Sequence, residues 1–119
     1  MFSEANYLKL TPLALDVKRP LWSVLIPTHN CAHYLRETLA SILAQDPGEA
    51  SMEIIVVDDH STKEDPEAVV KEFGQGRVQF IRQEKNVGKV KNYETGLKAS
   101  RGRYIHQYRL CLFIESAKG

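Results

Sequence analysis

Asp58 and Asp59 close the run EIIVVDD and form the pair whose type and spacing point most directly to chemistry. Carboxylates at such a position accept hydrogen bonds from a ribose hydroxyl or a base N–H. Asp and Ser also bend and cap chains locally, so a turn is the competing reading. Thr28 and Asn30, in the segment IPTHN, place a hydroxyl and an amide after an earlier apolar run. Their competing role is to cap a following helix, with Asn30 as its N-cap. A third polar segment, Gln83 to Gly88, contains Asn86 and is flanked by Lys89, with Lys85 inside it. Gly88 suits a close backbone approach or a positive φ, and the two lysines favour an anionic diphosphate. His29 and His33 stand four apart, a spacing that can set two imidazoles on one helical face as metal ligands. No HExxH glutamate accompanies them, so no metal is expected there. His60 and His106 read as a loop and a strand residue.

These groups need elements to carry them. Leu21 to Pro27, LWSVLIP, is short, apolar, branched and closed by proline, which predicts a buried strand. Leu35, Leu39, Ile42 and Leu43 then repeat at helical spacing, and Pro47 and Gly48 end that helix. Glu53 to Asp58 is a second strand, apolar enough to be covered on both faces. Asp65, Pro66 and Glu67 open a second helix as cap, first-turn proline and first-turn acid. Val69, Val70 and Phe73 give it an apolar side, and Gly74 is its expected stop. Val78 to Arg82 is a third strand. A third helix follows with Val90, Tyr93 and Leu97 on one face, and Arg103 to Gln107 is a fourth strand. The order βαβαβαβ implies an α/β fold with a mostly parallel sheet and right-handed crossovers. Ligands of such sheets bind beyond the carboxyl ends of the strands, at the switch in strand order. Thr28, Asp58 and the segment after Arg82 all fall at those ends.

Composition narrows the classes further. The chain has 119 residues, 16 basic and 15 acidic, with a formal net charge of +1. That balance excludes a strongly basic nucleic-acid binder and an acidic disordered tail. Leu, Ile, Val and Phe make up about 27% of the chain, above the roughly 20% below which a core is hard to build. No apolar run reaches the roughly 18 residues of a membrane span, and the N-terminus lacks signal-peptide order. A soluble chain, cytoplasmic by default, is expected. Cys31 and Cys111 have no CxxC spacing, so no thiolate metal site is expected. GxGxxG and GxxxxGK[ST] are absent, which disfavours a dehydrogenase-type dinucleotide fold and a P-loop. Charge is uneven: residues 37–72 hold ten acids and two bases, residues 77–109 nine bases and two acids. Lys98, Arg101 and Arg103 read as solvated.

The blocks SVLIPTHN, LRETLASILAQ, EIIVVDDHS and NVGKVKNYETGLKASRGRYI, in this order from about Trp22 to His106, resemble the start of family-2 glycosyltransferases with the GT-A fold. The resemblance implies a Rossmann-like half that binds a nucleotide-diphosphate sugar, UDP-linked as first expectation, for transfer to a hydroxyl acceptor. It implies that Thr28 lies next to the nucleoside, Asp58 contacts the base and Asp59 lies near the ribose. Asn86 and Gly88 match the family's loop after the third strand. Asn92, Gly96 and Leu97 match its next helix. Tyr93 and Glu94 depart from the arginine and asparagine often found there.

A larger departure follows. The family places an acidic DxD-like motif after a strand such as GRYIHQ, and full-length members typically use Mg²⁺ or Mn²⁺ there. Here Tyr108, Arg109, Leu110 and Cys111 follow, and no Asp occurs after Asp65. The metal motif and the acceptor-side general base are both missing, so no cofactor and little transferase activity are expected of these residues alone. The expected organisation is a lead-in over 1–19, with Leu8, Leu10, Leu13 and Leu15 able to lie across the core. A partial nucleotide-sugar domain follows over 20–107, and a divergent tail over 108–119. The tail reads as a frame change, an early stop, an artificial boundary or an authentic short protein. Leu110 to Ile114 could supply a substitute edge strand. An open sheet edge makes a homodimer a second expectation. The alternative is a non-catalytic interaction module or truncated remnant, with no nucleic acid partner.

Overall fold

The computed structural model describes residues 18–108. Most of the expected lead-in and all but Tyr108 of the expected tail, with their leucines and the Leu110 to Ile114 run, lie outside the described residues.

Seven elements alternate along the chain: β1 (Trp22–Thr28), α1 (Ala32–Ala44), β2 (Met52–Asp58), α2 (Pro66–Phe73), β3 (Val78–Arg82), α3 (Lys89–Ala99) and β4 (Tyr104–Gln107). The sheet order is β3-β2-β1-β4, and every pairing is parallel. The chain thus runs outward from β1 to β3, then crosses back to place β4 on the other side of β1. Strand order switches between β1 and β4, and right-handed crossovers put α1 and α2 on one face and α3 on the other.

Alternation along the strands builds two cores. Val24, Ile26, Ile54 and Val56 pack with Leu35, Leu39 and Ile42 of α1 and Val69 and Val70 of α2. Leu25, Ile55 and Val57 pack with Tyr93 and Leu97 of α3. β2 is covered on both faces, as its continuous apolar run requires. Asp65 caps α2 by accepting from Ala68 N at 3.2 Å, with Pro66 in the first turn. That helix ends at Gly74, and the positive φ values come just after it, at Gln75 and Gly76.

Three details differ from expectation. Leu21 precedes β1 and is 45% exposed. Val90 is 73% exposed. Asn92, two residues on, already reaches Val57 O near the end of β2, so the turn holding Val90 projects past the sheet. Gly96 takes the inward place between Tyr93 and Leu97, close against Leu25 and Val57.

Candidate functional site

The carboxyl ends of β1, β2 and β3 lie in register, Thr28 beside Asp58 and Asp58 beside Arg82. Strand alternation sends the Thr28 and Asp58 side chains to the face of α1 and α2, in line with Ile26 and Val56. Asp58 is fully buried. Its Oδ2 accepts from Ser61 N at 2.8 Å, and its Oδ1 accepts from Ser61 Oγ. Arg82 Nε stands 4.0 Å from Oδ2, and the guanidinium also donates to Ser61 O at 2.9 Å. Burial of this carboxylate is compensated by two donors from Ser61 on one connection and by the Arg82 guanidinium at the end of β3.

Ser61 links that connection to the next. Its Oγ accepts from Asn30 N at 2.8 Å. Asn30 has φ of 54°, and its Oδ1 accepts from Thr62 N and Lys63 N at 3.0 and 3.1 Å. Asn30 therefore does not cap α1, contrary to expectation. Cys31 holds the cap position, without a side-chain cap bond. Glu64 supplies the acceptor instead, taking His33 N at 2.9 Å and pairing with His33 Nδ1 at 3.0 Å. The left-handed backbone at Asn30 turns its side chain across to the β2–α2 connection and away from the helix.

His29 lies outside α1, so His29 and His33 do not share a helical face. With Asn30 Oδ1 accepting two backbone N–H groups, Asn30 Nδ2 donates to His29 Nε2 at 3.2 Å. His29 then carries its proton on Nδ1 and donates to Asp59 O at 2.8 Å. His60 sits in the loop, its Nδ1 3.1 Å from Gln83 O.

Asp59 faces the other way and is 4% exposed. Its Oδ1 accepts from Val87 N at 2.7 Å and its Oδ2 from Gly88 N at 3.0 Å. Asn86 Nδ2 donates to Asp59 O at 3.3 Å. Gly88 is the N-cap of α3 and has no side chain to cap with; Asp59, just past a neighbouring strand, instead anchors the chain entering that helix through these two N–H groups. Gly88 has φ of 92°, and a Cβ there would meet nothing within 4 Å. Glycine is required by conformation at this position, not by space. Asn86, Gly88, Lys85 and Lys89 are exposed at the rim. Asn92 is buried: its Nδ2 donates to Val57 O at 3.0 Å, and its Oδ1 accepts from Gln83 Nε2 at 3.2 Å.

Thr28 is the exception to this satisfied network. It is 3% exposed, and its Oγ1 is the one buried side-chain polar atom among the described residues that has no hydrogen-bond partner. Such an orphan is costly unless a water or ligand completes it.

The structure thus joins Thr28, Asn30, Asp58, Asp59 and the Asn86–Gly88 loop at one end of the sheet. Lys89 lies at the rim, and Asn92 sits beneath as a helix-to-strand tie. Ser61, Glu64, Arg82 and Gln83 also belong to this network; Ser61 and Gln83 fall in the polar segments after the second and third strands, whereas Glu64 and Arg82 were not singled out from sequence. Ser61 carried a signal, since it stands three residues after Asp58, the reach of a side-chain-closed turn. Among the described residues no group of three or more His, Cys, Asp or Glu could hold a metal ion. Asp58 and Asp59 spend their oxygens on Ser61, Val87 and Gly88, so this donor set does not fit a hard cation.

Residues 23–106 match the family model described as Glycosyl transferase family 2. An uncharacterized glycosyltransferase of Rickettsia typhi is 38% identical over 86 residues, 72% of this chain and 26% of that protein. The poly(ribitol-phosphate) beta-N-acetylglucosaminyltransferase TarP of Staphylococcus aureus is 34% identical over 84 residues, 70% of this chain and 26% of that protein. The chain therefore spans about a quarter of the length of these two relatives. Among solved structures, S. aureus TarS 1-349 in complex with UDP superposes with a TM-score of 0.65 and 28% identity, over 81% of this chain and 31% of that one. S. aureus TarS 1-349 in complex with UDP-GlcNAc superposes with a TM-score of 0.64 and 26% identity, over 82% of this chain and 30% of that one. The fold is that of the GT-A glycosyltransferases.

Proposed function

We propose, given that the chain belongs to glycosyl transferase family 2, that the carboxyl end of its sheet binds the nucleotide of a sugar donor, UDP-linked, for transfer of the sugar to a hydroxyl acceptor. The observation that carries this reading is the buried, unpartnered hydroxyl of Thr28. It lies at a strand end beside the switch in strand order, where open α/β sheets bind ligands. The TarS complexes with UDP and UDP-GlcNAc support the ligand class.

In this reading Thr28 Oγ1 meets a polar atom of the nucleoside. Asp58 acts from behind, since its oxygens are taken by Ser61: it holds the connection that borders the nucleoside. Asp59 and Asn30 hold the neighbouring loops, with Asp59 next to the ribose. Asn86, Gly88 and Lys89 line the rim on the diphosphate side, where an ammonium favours an anion. Asn92 keeps the start of α3 on β2. A divalent cation, when bound in such enzymes, stabilises charge on the departing diphosphate; no residue described in this chain is assigned to hold one. No described acid at the site is left to act as general base, so these residues bind donor and transfer little or no sugar by themselves.

Calorimetric titration with UDP, GDP, CDP and dTDP, with and without Mn²⁺, tests the reading. Saturable binding of one nucleotide, UDP first, indifferent to Mn²⁺, is expected. Thr28→Val should weaken it about tenfold while leaving the melt intact, and Asp58→Ala should abolish it. A folded chain that binds none of the four overturns the proposal. Mn²⁺-enhanced binding would overturn the assignment of the acids.

A further inference from the structure

The opposite pole of the sheet, where the strands begin, has a different chemistry. Trp22 and Tyr104 open β1 and β4 side by side in register. The segments leading into them are tied together. Arg103 N donates to Pro20 O at 3.1 Å, Tyr104 N to Leu21 O at 2.9 Å, and the Arg101 guanidinium to Lys18 O at 3.0 Å. Residues 18–21 are thereby held against 101–104, just beyond the last turn of α3.

This junction gathers Lys18, Arg19, Lys98, Arg101 and Arg103. All but Arg19 are exposed, and none forms an ion pair with a described residue. The acid beside them, Glu53, forms no ion pair with them, and its single charge offsets one of the five. Glu53 is taken by Ser23 Oγ and by the backbone N–H groups of Arg101 and Gly102. At the same end Asp46 is held by Arg77, which leaves Glu49 as the exposed acid of the connection into β2.

Beside these cations stand the exposed apolar groups of the pole. Leu21 is 45%, Trp22 40% and Tyr104 57% exposed, and the two rings lie 5.3 Å apart. Cations alone would serve any soluble polyanion. Trp and Tyr next to Leu and a basic cluster match the layered chemistry of a bilayer interface, where headgroup phosphates lie above the acyl boundary. No helix among the described residues is long and apolar enough to cross a membrane, so such a contact would be peripheral.

We propose that this pole docks on an anionic membrane surface. The five cations meet lipid phosphates, and Leu21, Trp22 and Tyr104 enter the interface. The strand ends that carry Thr28 and Asp58 then face away from the bilayer. This inference does not depend on the nucleotide reading.

Trp22 is the only tryptophan of the chain, so its fluorescence reports on this pole directly. The full chain is mixed with vesicles of phosphatidylcholine, with or without about one-third phosphatidylglycerol. Co-sedimentation and a blue shift of Trp22 emission are expected with the anionic vesicles alone, and both should weaken as salt is raised. The double variant Lys98→Glu/Arg103→Glu, whose altered side chains make no described hydrogen bond, should lower partitioning by on the order of thirtyfold. Its melt should match the parent. If that variant does not fold, the salt titration of the native chain decides. No sedimentation with anionic vesicles overturns the proposal. So does sedimentation without a change in Trp22 emission, which would place the contact elsewhere. Equal occupancy by soluble polyphosphate in competition, again without an emission shift, would identify a site for soluble polyanions and also overturn it.

Discussion

Asp58 and Asp59 are neighbours in the chain, yet they support different connections. Asp58 closes the turn to Ser61 beneath α1 and α2, while Asp59 receives the N–H groups of Val87 and Gly88 at the start of α3. Backbone alternation separates them, since adjacent side chains leave an extended chain on opposite faces. A third carboxylate works by the same chemistry away from the site. Asp46 accepts two parallel bonds from one edge of the Arg77 guanidinium, Nε to Oδ2 at 2.7 Å and Nη2 to Oδ1 at 2.8 Å. Hydrogen bonding from Arg77 holds the Asp46 carboxyl below its ordinary value of 3.8, against the opposing effect of desolvation. A depressed carboxyl stabilises the fold above its unfolded value, and that contribution fades as pH falls through the folded one. Asp46→Asn should therefore cost about 1–2 kcal/mol at neutral pH. The gap between variant and parent should narrow below about pH 4, as read from urea unfolding at several pH values.

At the scale of elements, α3 is held by acids at the two ends of one strand. Asp59, just past β2, takes the backbone N–H groups at its entry, and Glu53, at the start of β2, takes those of Arg101 and Gly102 beyond its exit. Between them Gly96 sets how closely the helix approaches the sheet. A Cβ at Gly96 would fall on Leu25 Cδ1 and lie 3.1 Å from Val57 Cγ1, and both residues are fully buried. Neither can yield without moving α3. Gly96→Ala should destabilise the fold by about 1–2 kcal/mol, because overpacking outweighs the gain in helix propensity. It should also raise amide exchange at Val87 and Gly88 if α3 shifts as a unit. A stability gain on chemical denaturation would show that the helix has room to spare.

At the scale of the molecule, the described sheet ends in β3 on one side and β4 on the other. Among the described residues each has one unpaired backbone edge, and such edges pair with other chains. Concentration-dependent dimerisation in sedimentation velocity is the expected behaviour of the full chain. A monodisperse monomer with a cooperative melt would count against it. The two ends of the sheet divide the remaining roles. The carboxyl ends hold the satisfied polar network with the Thr28 hydroxyl at its centre, and the amino ends hold cations and exposed rings. Parallel strands make this division possible, because every strand enters at one pole and leaves at the other.

Much of the architecture was legible before any coordinates. Branched apolar runs bounded by Pro, Gly and Asp marked the strands to within a residue or two, because a strand covered on both faces tolerates few polar residues. The cap at Asp65 was legible for a local reason, since a side chain and an N–H three residues on meet without tertiary help. Four blocks in order were enough to indicate the family, and their strand-end positions brought Thr28, Asp58 and Asn86 to one pole. What the sequence could not decide was which partner each polar group would take. Asn30 had the composition of a helix cap, but its positive φ turned it to Thr62 and Lys63, and Glu64, 34 positions further on, took over at the helix. Val90 kept the period of an inward face, but the sheet ends before it. The exposed rings beside Arg101 and Arg103 arise because β1 and β4 begin together, although Trp22 and Tyr104 are far apart in the chain. Local periodicity and capping depend on near neighbours, and sequence contains those. Hydrogen-bond partners across connections, and the surfaces that connections build together, depend on strand order, and that was settled when β4 returned to the side of β1.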